Sequence, residues 1–334
     1  MGEFGLIDHL TSDIKPQCKS TMRGVGDDAA VIEASKDKAI VVSTDSMLEG
    51  IDFDLTYFPP KHLGYKAVTK GISDIVAMNA TPEQITIALG ISSKISVEFL
   101  EDFYAGVKFA CKEAGVDMVG GDTSASVTGL VINITAIGRA KKSDITYRSG
   151  AKEHDLICIT GNLGASYMGL RLLERERYVL NEISKPEPKF DGYEFLLERY
   201  LKPRARYDMV KSFAEAKIVP TSMIDITDGL ASEILQICKA SNCGARIYLE
   251  RIPLAKHTNA LADEMNINSV VAALNGGEDY ELLFTLPLER REDIVKLGCI
   301  DIIGHITKPE AGAYLITPDG QDIALQAQGF TPKE

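Results

Sequence analysis

Residues 39–78 read AIVVSTDSMLEGIDFDLTYFPPKHLGYKAVTKGISDIVAM and put a strand and a helix side by side. Ala39 to Ser43 is a short apolar run of strand type, and Pro59-Pro60 marks the start of the next element. Leu63, Ala67, Val68, Ile72, Ile75 and Val76 then recur at helical spacing. Working outward, a second helix is expected from an N-cap at Ser96 to a stop at Gly115, with Val97, Leu100, Phe103, Val107 and Cys111 on its inner side. Val116 to Val119 reads as a strand leading into a Gly120-Gly121-Asp122 turn. Leu130 to Gly138 alternates Ile132, Ile134 and Ala136 against Asn133 and Thr135, which is another strand. In the second half LICIT, MIDIT, ARIYLE and ELLFT read as strands, and Ala165–Tyr178 and Leu230–Ala240 as helices. Both halves mix the two element types, so the fold class is α+β with two domains. The polar segment RAKKSDITYRSGAKEH, residues 139–154, separates them, giving domains 1–148 and 149–334. The stretch 181–192, NEISKPEPKFDG, is poor enough in apolar residues to be expected as a mobile loop.

The 334 residues are 45% hydrophobic and 25% charged, enough for two domains with cores. A formal net charge of −12 argues against nonspecific nucleic-acid or membrane binding, which rests on clustered Lys and Arg. The six cysteines form no CxxC pair and read as reduced, mostly buried thiols of a cytoplasmic protein. The start, MGEFGLIDHL, has no basic and apolar leader, and no run reaches membrane-spanning length, so neither export nor insertion is expected.

Several carboxylates sit where an apolar run breaks into a glycine-rich or hydroxyl-rich segment: Asp28 in GVGDDAA, Asp45 in VVSTDS, Asp122 in VGGDTS, and Asp225 and Asp228 in MIDITDG. Asp74 joins this set from a helix. Two such groups about 4 Å apart repel by roughly 1 to 4 kcal/mol, so a cleft that gathers several needs a neutralising cation. Mg²⁺ is the natural one, being a hard ion that takes oxygen ligands and is shared with substrate phosphates. Each residue also has a plainer reading. Ser43-Thr44-Asp45 suits a simple turn, Asp74 a surface pair with Lys70, Thr227 or Asp228 a helix N-cap, Glu278 in NGGEDYELLF a turn, and Arg148 a linker charge. Gly24-Val25-Gly26-Asp27-Asp28-Ala29 matches GxGxxA, but two carboxylates stand where a pyrophosphate would meet backbone N–H groups, which speaks against a dinucleotide site. No GxxxxGK[ST] loop is present, and the five histidines show no metal-ligand spacing.

The wording of these motifs, taken in order, resembles the thiamine-monophosphate kinases of the AIR-synthase-related superfamily. GEFGLI, GVGDDAAVI, VVSTDSMLEGIDF, LGYKAVTKGISDIVAMNATP, VGGDTS, YRSGAK, ITGNLGAS, KPRARY, IDITDGLASEI, ASNCGARI, NGGEDYELLFT and IGHIT carry the resemblance over nearly the whole length. STDSMLEGIDF combined with GGEDYEL is its specific part. The resemblance implies that Asp28, Ser43, Thr44, Asp45, Asp74, Asp122, Asp225 and Asp228 hold several Mg²⁺ ions around the phosphates of ATP. It implies that Tyr104, Gly121, Asp122, Arg148 and Thr227 contact ATP, and that Asp52, Glu278 and Phe330 meet the thiamine part. Thr227 stands where relatives often carry Ser, and Phe330 where Tyr or Trp can occur; hydroxyl and aromatic face are retained. A homodimer paired through the N-terminal domain is also implied.

The reaction implied is the last step of thiamine diphosphate biosynthesis, phosphorylation of thiamine monophosphate by ATP with release of ADP. Its acceptor oxygen belongs to a phosphate monoester with a second pKa of about 6, so it needs no strong general base. Direct in-line transfer is therefore expected, consistent with the absence of a Ser-His or Cys-His nucleophile pattern. Sister enzymes such as a purine-pathway or selenophosphate synthetase are the first alternative, but the Cys-containing glycine-rich N-terminal segment of the selenium enzyme is not seen. A hydrogenase-maturation scaffold is the second, and its relatives end in a reactive Cys where this chain reads GFTPKE.

Overall fold

The computed structural model describes residues 3–182 and 189–327. The first half runs α1 (Glu3–Thr11), β1 (Thr21–Arg23), β2 (Ala30–Glu33), β3 (Lys38–Leu48), α2 (Pro60–Ala77), β4 (Thr81–Ile91), α3 (Val97–Ala114), β5 (Asp117–Ala125) and β6 (Val131–Lys141). Its strands form one sheet in the order β1-β2-β3-β6-β4-β5. The β3–β6 ladder is antiparallel and unbroken from Lys38↔Lys141 to Leu48↔Val131. Alternation along β3 turns Val41, Ser43 and Met47 toward the helices, whereas Thr44, Ser46 and Leu48 are exposed on the other face. The inward residues meet α2 and α3 in a core built from Val41, Met47, Leu63, Ile72, Ile85, Phe103 and Ile134.

The two helices approach closely because each offers a glycine to the other. A Cβ on Gly64 would lie 2.0 Å from the Phe103 carbonyl oxygen, and one on Gly106 1.8 Å from that of Lys61. α3 begins and ends as its sequence predicts. Ser96 caps it by accepting from Phe99 N, and Gly115 closes it in the left-handed conformation.

The second half runs β7 (Leu156–Thr160), α4 (Ala165–Glu182), α5 (Glu194–Leu201), α6 (Tyr207–Ala216), β8 (Ser222–Asp225), α7 (Leu230–Ser241), β9 (Gly244–Tyr248), α8 (Lys256–Glu264), α9 (Ser269–Asn275), β10 (Leu282–Leu286), α10 (Arg291–Leu297), β11 (Ile300–Thr307), β12 (Ala313–Ile316) and β13 (Asp322–Ala324). The sheet order is β13-β12-β9-β11-β7-β10-β8. One core of this half joins α7, through Leu230, Ile234 and Ile237, to sheet residues such as Ile157, Ile247 and Leu283. Another gathers Met209 and Phe213 of α6 and Ile294 of α10, and it also takes Val76 and Ala77 from α2. The end of α2 is thus packed into the second half of the chain.

Three sequence expectations change. Ser43-Thr44-Asp45 lies inside β3, which continues to Leu48, and is not at a strand end. Gly120-Gly121-Asp122 is not a turn after a strand but part of β5, paired in parallel with Thr86, Ile87 and Ala88 of β4. The physical reason is the closeness of that pairing, since a Cβ on Gly121 would stand 2.0 Å from the Ile87 carbonyl oxygen. The segment read as a polar linker buries Ile145 and Thr146 and feeds Arg148 into the cleft described below. Of the expected mobile stretch 181–192, residues 183–188 lie outside the described residues, and so does Phe330.

Candidate active site

α2 supplies the spine of the site. Lys66, Lys70, Ser73 and Asp74 fall four, three and one residues apart, which places them along one helical stripe. Two hydroxyls fasten two carboxylates there: Ser43 of β3 donates to Asp74 Oδ2, and Ser73 donates to Asp225 Oδ2 at the end of β8. Asp28 comes from the turn after β1 and is held by Arg148, whose Nε and Nη2 lie 2.9 and 2.5 Å from its Oδ1. Asp28, Asp74 and Asp225 each offer an oxygen, all within 4.8 Å of one another. Asp28 Oδ2 and Asp45 Oδ2 are buried and have no hydrogen-bond partner.

Burial is the largest cause of the charge cost in this group. It pushes Asp28 up to about 7, with Asp225 adding to the rise and Arg148 opposing it. It pushes Asp45 up to about 6 against the pull of Lys70, with Asp225 and Asp52 adding. The Asp74 carboxyl is raised well above the ordinary range by burial and then by Asp45, Asp225 and Asp28. Asp225 is raised by burial although Ser73, Arg148 and Lys70 favour its charge. Crowded, hard oxygen donors with two unpartnered buried oxygens fit Mg²⁺. At metal–oxygen distances of about 2.1 Å, oxygens on opposite sides of one ion stand about 4 Å apart.

Asp28, Asp45 and Asp74 line a cleft of about 1350 Å³ whose walls come from both halves of the chain, and Asp225 stands beside Asp28 and Asp74. The same cleft is lined by Asp52, Phe53, Tyr57, Lys70, Tyr200, Glu278 and Tyr280. Lys70 does not pair with Asp74 as the plain reading had it; its Nζ lies 3.2 Å from Asp52 Oδ1. Glu278 sits in a loop that carries positive φ at Gly277 (70°), Glu278 (54°) and Tyr280 (53°). Non-glycine residues reach that region only where surrounding contacts over-determine them. Here Glu278 N and Tyr280 N bond to Thr227 O and Ile226 O at 2.8 and 2.9 Å. Asp279 accepts from Gly164 N at 2.9 Å. Glu281 is gripped by Thr160 (2.6 Å), Arg206 (2.7 Å) and Arg199 (3.0 Å). The GGEDYEL wording therefore encodes a strained turn clamped on both sides of one cleft-lining glutamate.

Of the residues singled out in the sequence, Asp28, Ser43, Thr44, Asp45, Asp52, Asp74, Arg148, Thr227, Asp228 and Glu278 all border this cleft. Asp225 joins it through the carboxylate group already described. The Thr44 hydroxyl lies 3.2 Å from Ile134 O and 3.1 Å from the Thr135 hydroxyl. Gly121, Asp122 and Tyr104 are not among the residues that wall the cleft. Asp122 lies three strands from β3 along the pairs Ser46↔Asn133, Asn133↔Ala88 and Ala88↔Asp122. At about 4.8 Å per strand this is roughly 14 Å. Sequence reasoning passed over Lys66, Tyr280 and Glu233, and read Lys70 only as a surface partner of Asp74. Glu233 Oε1 accepts from Thr227 N (3.0 Å) and Asp228 N (2.7 Å), so it shapes the TDG turn from the first turn of α7. An acidic residue in that first turn was the available signal.

Two family models match the chain: AIR synthase related protein, N-terminal domain, over residues 26–140, and AIR synthase related protein, C-terminal domain, over residues 152–314. A thiamine-monophosphate kinase of Buchnera aphidicola subsp. Schizaphis graminum is 34% identical over 337 residues, covering 98% of each chain. The chain belongs to the thiamine-monophosphate kinase family. Another member, from Escherichia coli K12, is 32% identical and covers 98% of this chain and 97% of its own. The solved structure of AaThiL complexed with AMPPCP and TMP superposes with a TM-score of 0.81 at 31% identity, covering 96% of this chain and 94% of that one. The family's two-domain α+β fold is the one described above.

Proposed function

We propose that this protein transfers the γ-phosphoryl group of ATP to thiamine monophosphate, giving thiamine diphosphate and ADP. The carrying observation is the group of Asp28, Asp45, Asp74 and Asp225, crowded and with unpartnered buried oxygens among the described residues, at a cleft also lined by Asp52, Glu278 and aromatic rings. A phosphate-rich donor suits the carboxylate group once a cation is bound there, and a cationic, aromatic acceptor suits Asp52, Glu278 and the rings. The AaThiL structure, which holds AMPPCP and TMP together, supports the same pair of substrates.

Asp28, Ser43, Thr44, Asp45, Asp74, Asp225 and Asp228 would hold Mg²⁺, with Asp122 joining them from a second copy of the chain; the ion when bound neutralises phosphate charge and orients the γ-phosphorus. Arg148 and Thr227 would meet the ATP phosphates, with Gly121 and Tyr104 completing the nucleotide site. Asp52 and Glu278 would face the thiazolium charge, with Phe330 against the ring. The acceptor phosphate oxygen attacks phosphorus directly and ADP leaves, so the protein need only orient and shield the two anions. Nothing in the cleft has to take a proton from an acceptor that is already ionised.

A homodimer is part of this reading, because Gly121, Asp122 and Tyr104 lie outside the cleft of their own chain. β5 is the outermost strand of its sheet, is exposed along its length, and carries Met118 and Val119 at 40% and 58% exposure. Such an edge invites pairing or cover. A second copy covering that edge would give Gly121 and Asp122 a nucleotide to contact. The free cysteines suit a reducing cytoplasm. No helix among the described residues is long and apolar enough to cross a membrane.

The test is ADP release with thiamine monophosphate as the sole acceptor, with and without Mg²⁺, together with chromatographic detection of thiamine diphosphate. ADP release that does not depend on thiamine monophosphate overturns the assignment.

A further inference from the structure

Lys66 is fully buried in α2, yet it is an amine in the middle of a helix whose neighbours are apolar. A buried lysine needs a specific partner, because an isolated ammonium in such a place is expensive. Its Nζ lies 2.8 Å from Glu278 Oε2, 3.9 Å from the centroid of the Tyr200 ring and 5.4 Å from that of Phe58. The two rings are themselves 5.5 Å apart, so the ammonium sits in an aromatic corner whose open side is the glutamate. Burial lowers the Lys66 pKa and the Glu278 charge works to restore it. Lys66 does not line the cleft, whereas Tyr200 and Glu278 do.

Only Oε2 of Glu278 is engaged, and among the described residues Oε1 has no hydrogen bond. The clamped loop fixes where the Glu278 backbone stands but says nothing of its side-chain torsions. Lys66 supplies that missing constraint from across the junction between the two halves of the chain. A second pair, Lys70 with Asp52, repeats the arrangement one turn along the same helix.

We propose that Lys66 is a positioning residue for the acceptor: it fixes the Glu278 carboxylate through one oxygen and leaves the other for the cationic part of the substrate. This rests on the reading that Glu278 meets the acceptor. Lys66 acts wholly through Glu278 and touches neither ATP nor the acceptor.

The experiment is a double-mutant cycle of Lys66→Met and Glu278→Gln, with KM for thiamine monophosphate and for ATP, kcat and melting temperature measured on each protein. Lys66→Met is expected to raise KM for thiamine monophosphate about tenfold or more and to leave KM for ATP within about twofold. The double variant is expected to match Glu278→Gln within about twofold, since the lysine has nothing left to position. If Glu278→Gln, which strands the buried Lys66 ammonium, does not fold, the change in the two KM values from the parent to Lys66→Met carries the test. Equal effects on both substrates, or a double variant much worse than Glu278→Gln, overturn the positioning role. A Glu278→Gln protein with unchanged KM for thiamine monophosphate overturns the acceptor reading itself, which is a different failure.

Discussion

Asp74→Asn should leave the metal-free protein as stable as the parent near pH 7 while removing most of its stabilisation by Mg²⁺. Two unit charges 4.8 Å apart at an effective dielectric of about 20 repel by about 3.5 kcal/mol, and Asp74 has Asp28 and Asp225 within that reach. Burial and these neighbours raise the Asp74 carboxyl well above its ordinary range, so the metal-free protein disfavours its charged form. An uncharged amide avoids that cost, and its oxygen still accepts from Ser43. The gain from a cation is different in kind. At a Mg²⁺ concentration one hundred times its Kd, the parent gains about 2.7 kcal/mol. With an unfolding entropy of about 2.1 cal/mol/K for each of the 334 residues, this is a rise of about 4 °C in Tm. Differential scanning calorimetry with EDTA and across a Mg²⁺ series should show that rise in the parent and less than about 1 °C in Asp74→Asn. An undiminished Mg²⁺ shift in the variant, or a metal-free variant melting more than about 4 °C below the parent, would refute the shared-cation reasoning.

Metal-free stability should fall as pH rises from about 4 to about 7. Asp28 is carried from its ordinary 3.8 to about 7 and Asp45 to about 6, so their protonated forms favour the folded state and that contribution is lost through the window. From pH 5 to 7.5 Asp28 alone accounts for about 2.5 kcal/mol, and a Tm that rises over this range without metal would contradict it. Arg206→Ala strands Glu281 beside Arg199 and should cost about 3 kcal/mol in denaturant titrations; a loss under about 1 kcal/mol would mean Arg199 suffices. With ATP made chiral at its γ-phosphate, the reaction should invert configuration at phosphorus. Net retention would make one of the aspartates a nucleophile.

Much of the site was legible because its wording follows its mechanics. A carboxylate that ends β8 and a hydroxyl-carboxylate pair in β3 announce themselves as polar interruptions of apolar runs, and the structure brings Asp28, Asp45, Asp74 and Asp225 into one cleft. The parts that were not legible depend on the third dimension. Lys66 looks like any lysine on an amphipathic helix until Tyr200, 134 positions later, is folded against it. Lys70 and Asp74 stand four apart, the spacing of a helical ion pair, but a hydroxyl from β3 takes Asp74 and a loop carboxylate takes Lys70. Gly120-Gly121 reads as a turn because glycine marks turns more often than edge strands. Only the approach of the Ile87 carbonyl shows why a strand needs glycine there.

One rigid element runs past both groups of carboxylates. α2 carries Ser73 and Asp74 at the carboxylate cluster and Lys66 and Lys70 beside Glu278 and Asp52, on a single stripe about 12 Å long at 1.5 Å per residue. Its last turn is packed into the core of the second half through Val76 and Ala77, and Gly64, facing the Gly106-bearing α3, lets the two helices lock together. A phosphoryl donor and acceptor must be held in line to within a fraction of an ångström, and flexible loops on separate domains cannot do this alone. On the proposed assignment, taking one metal-site carboxylate and both acceptor-side lysines from the same helix fixes their separation before either substrate arrives. The acidic residues on β8 and in the GGEDYEL turn then need only close onto that spine. Orientation of the two anions is thereby built into the backbone, and the charged groups are left to make their approach possible.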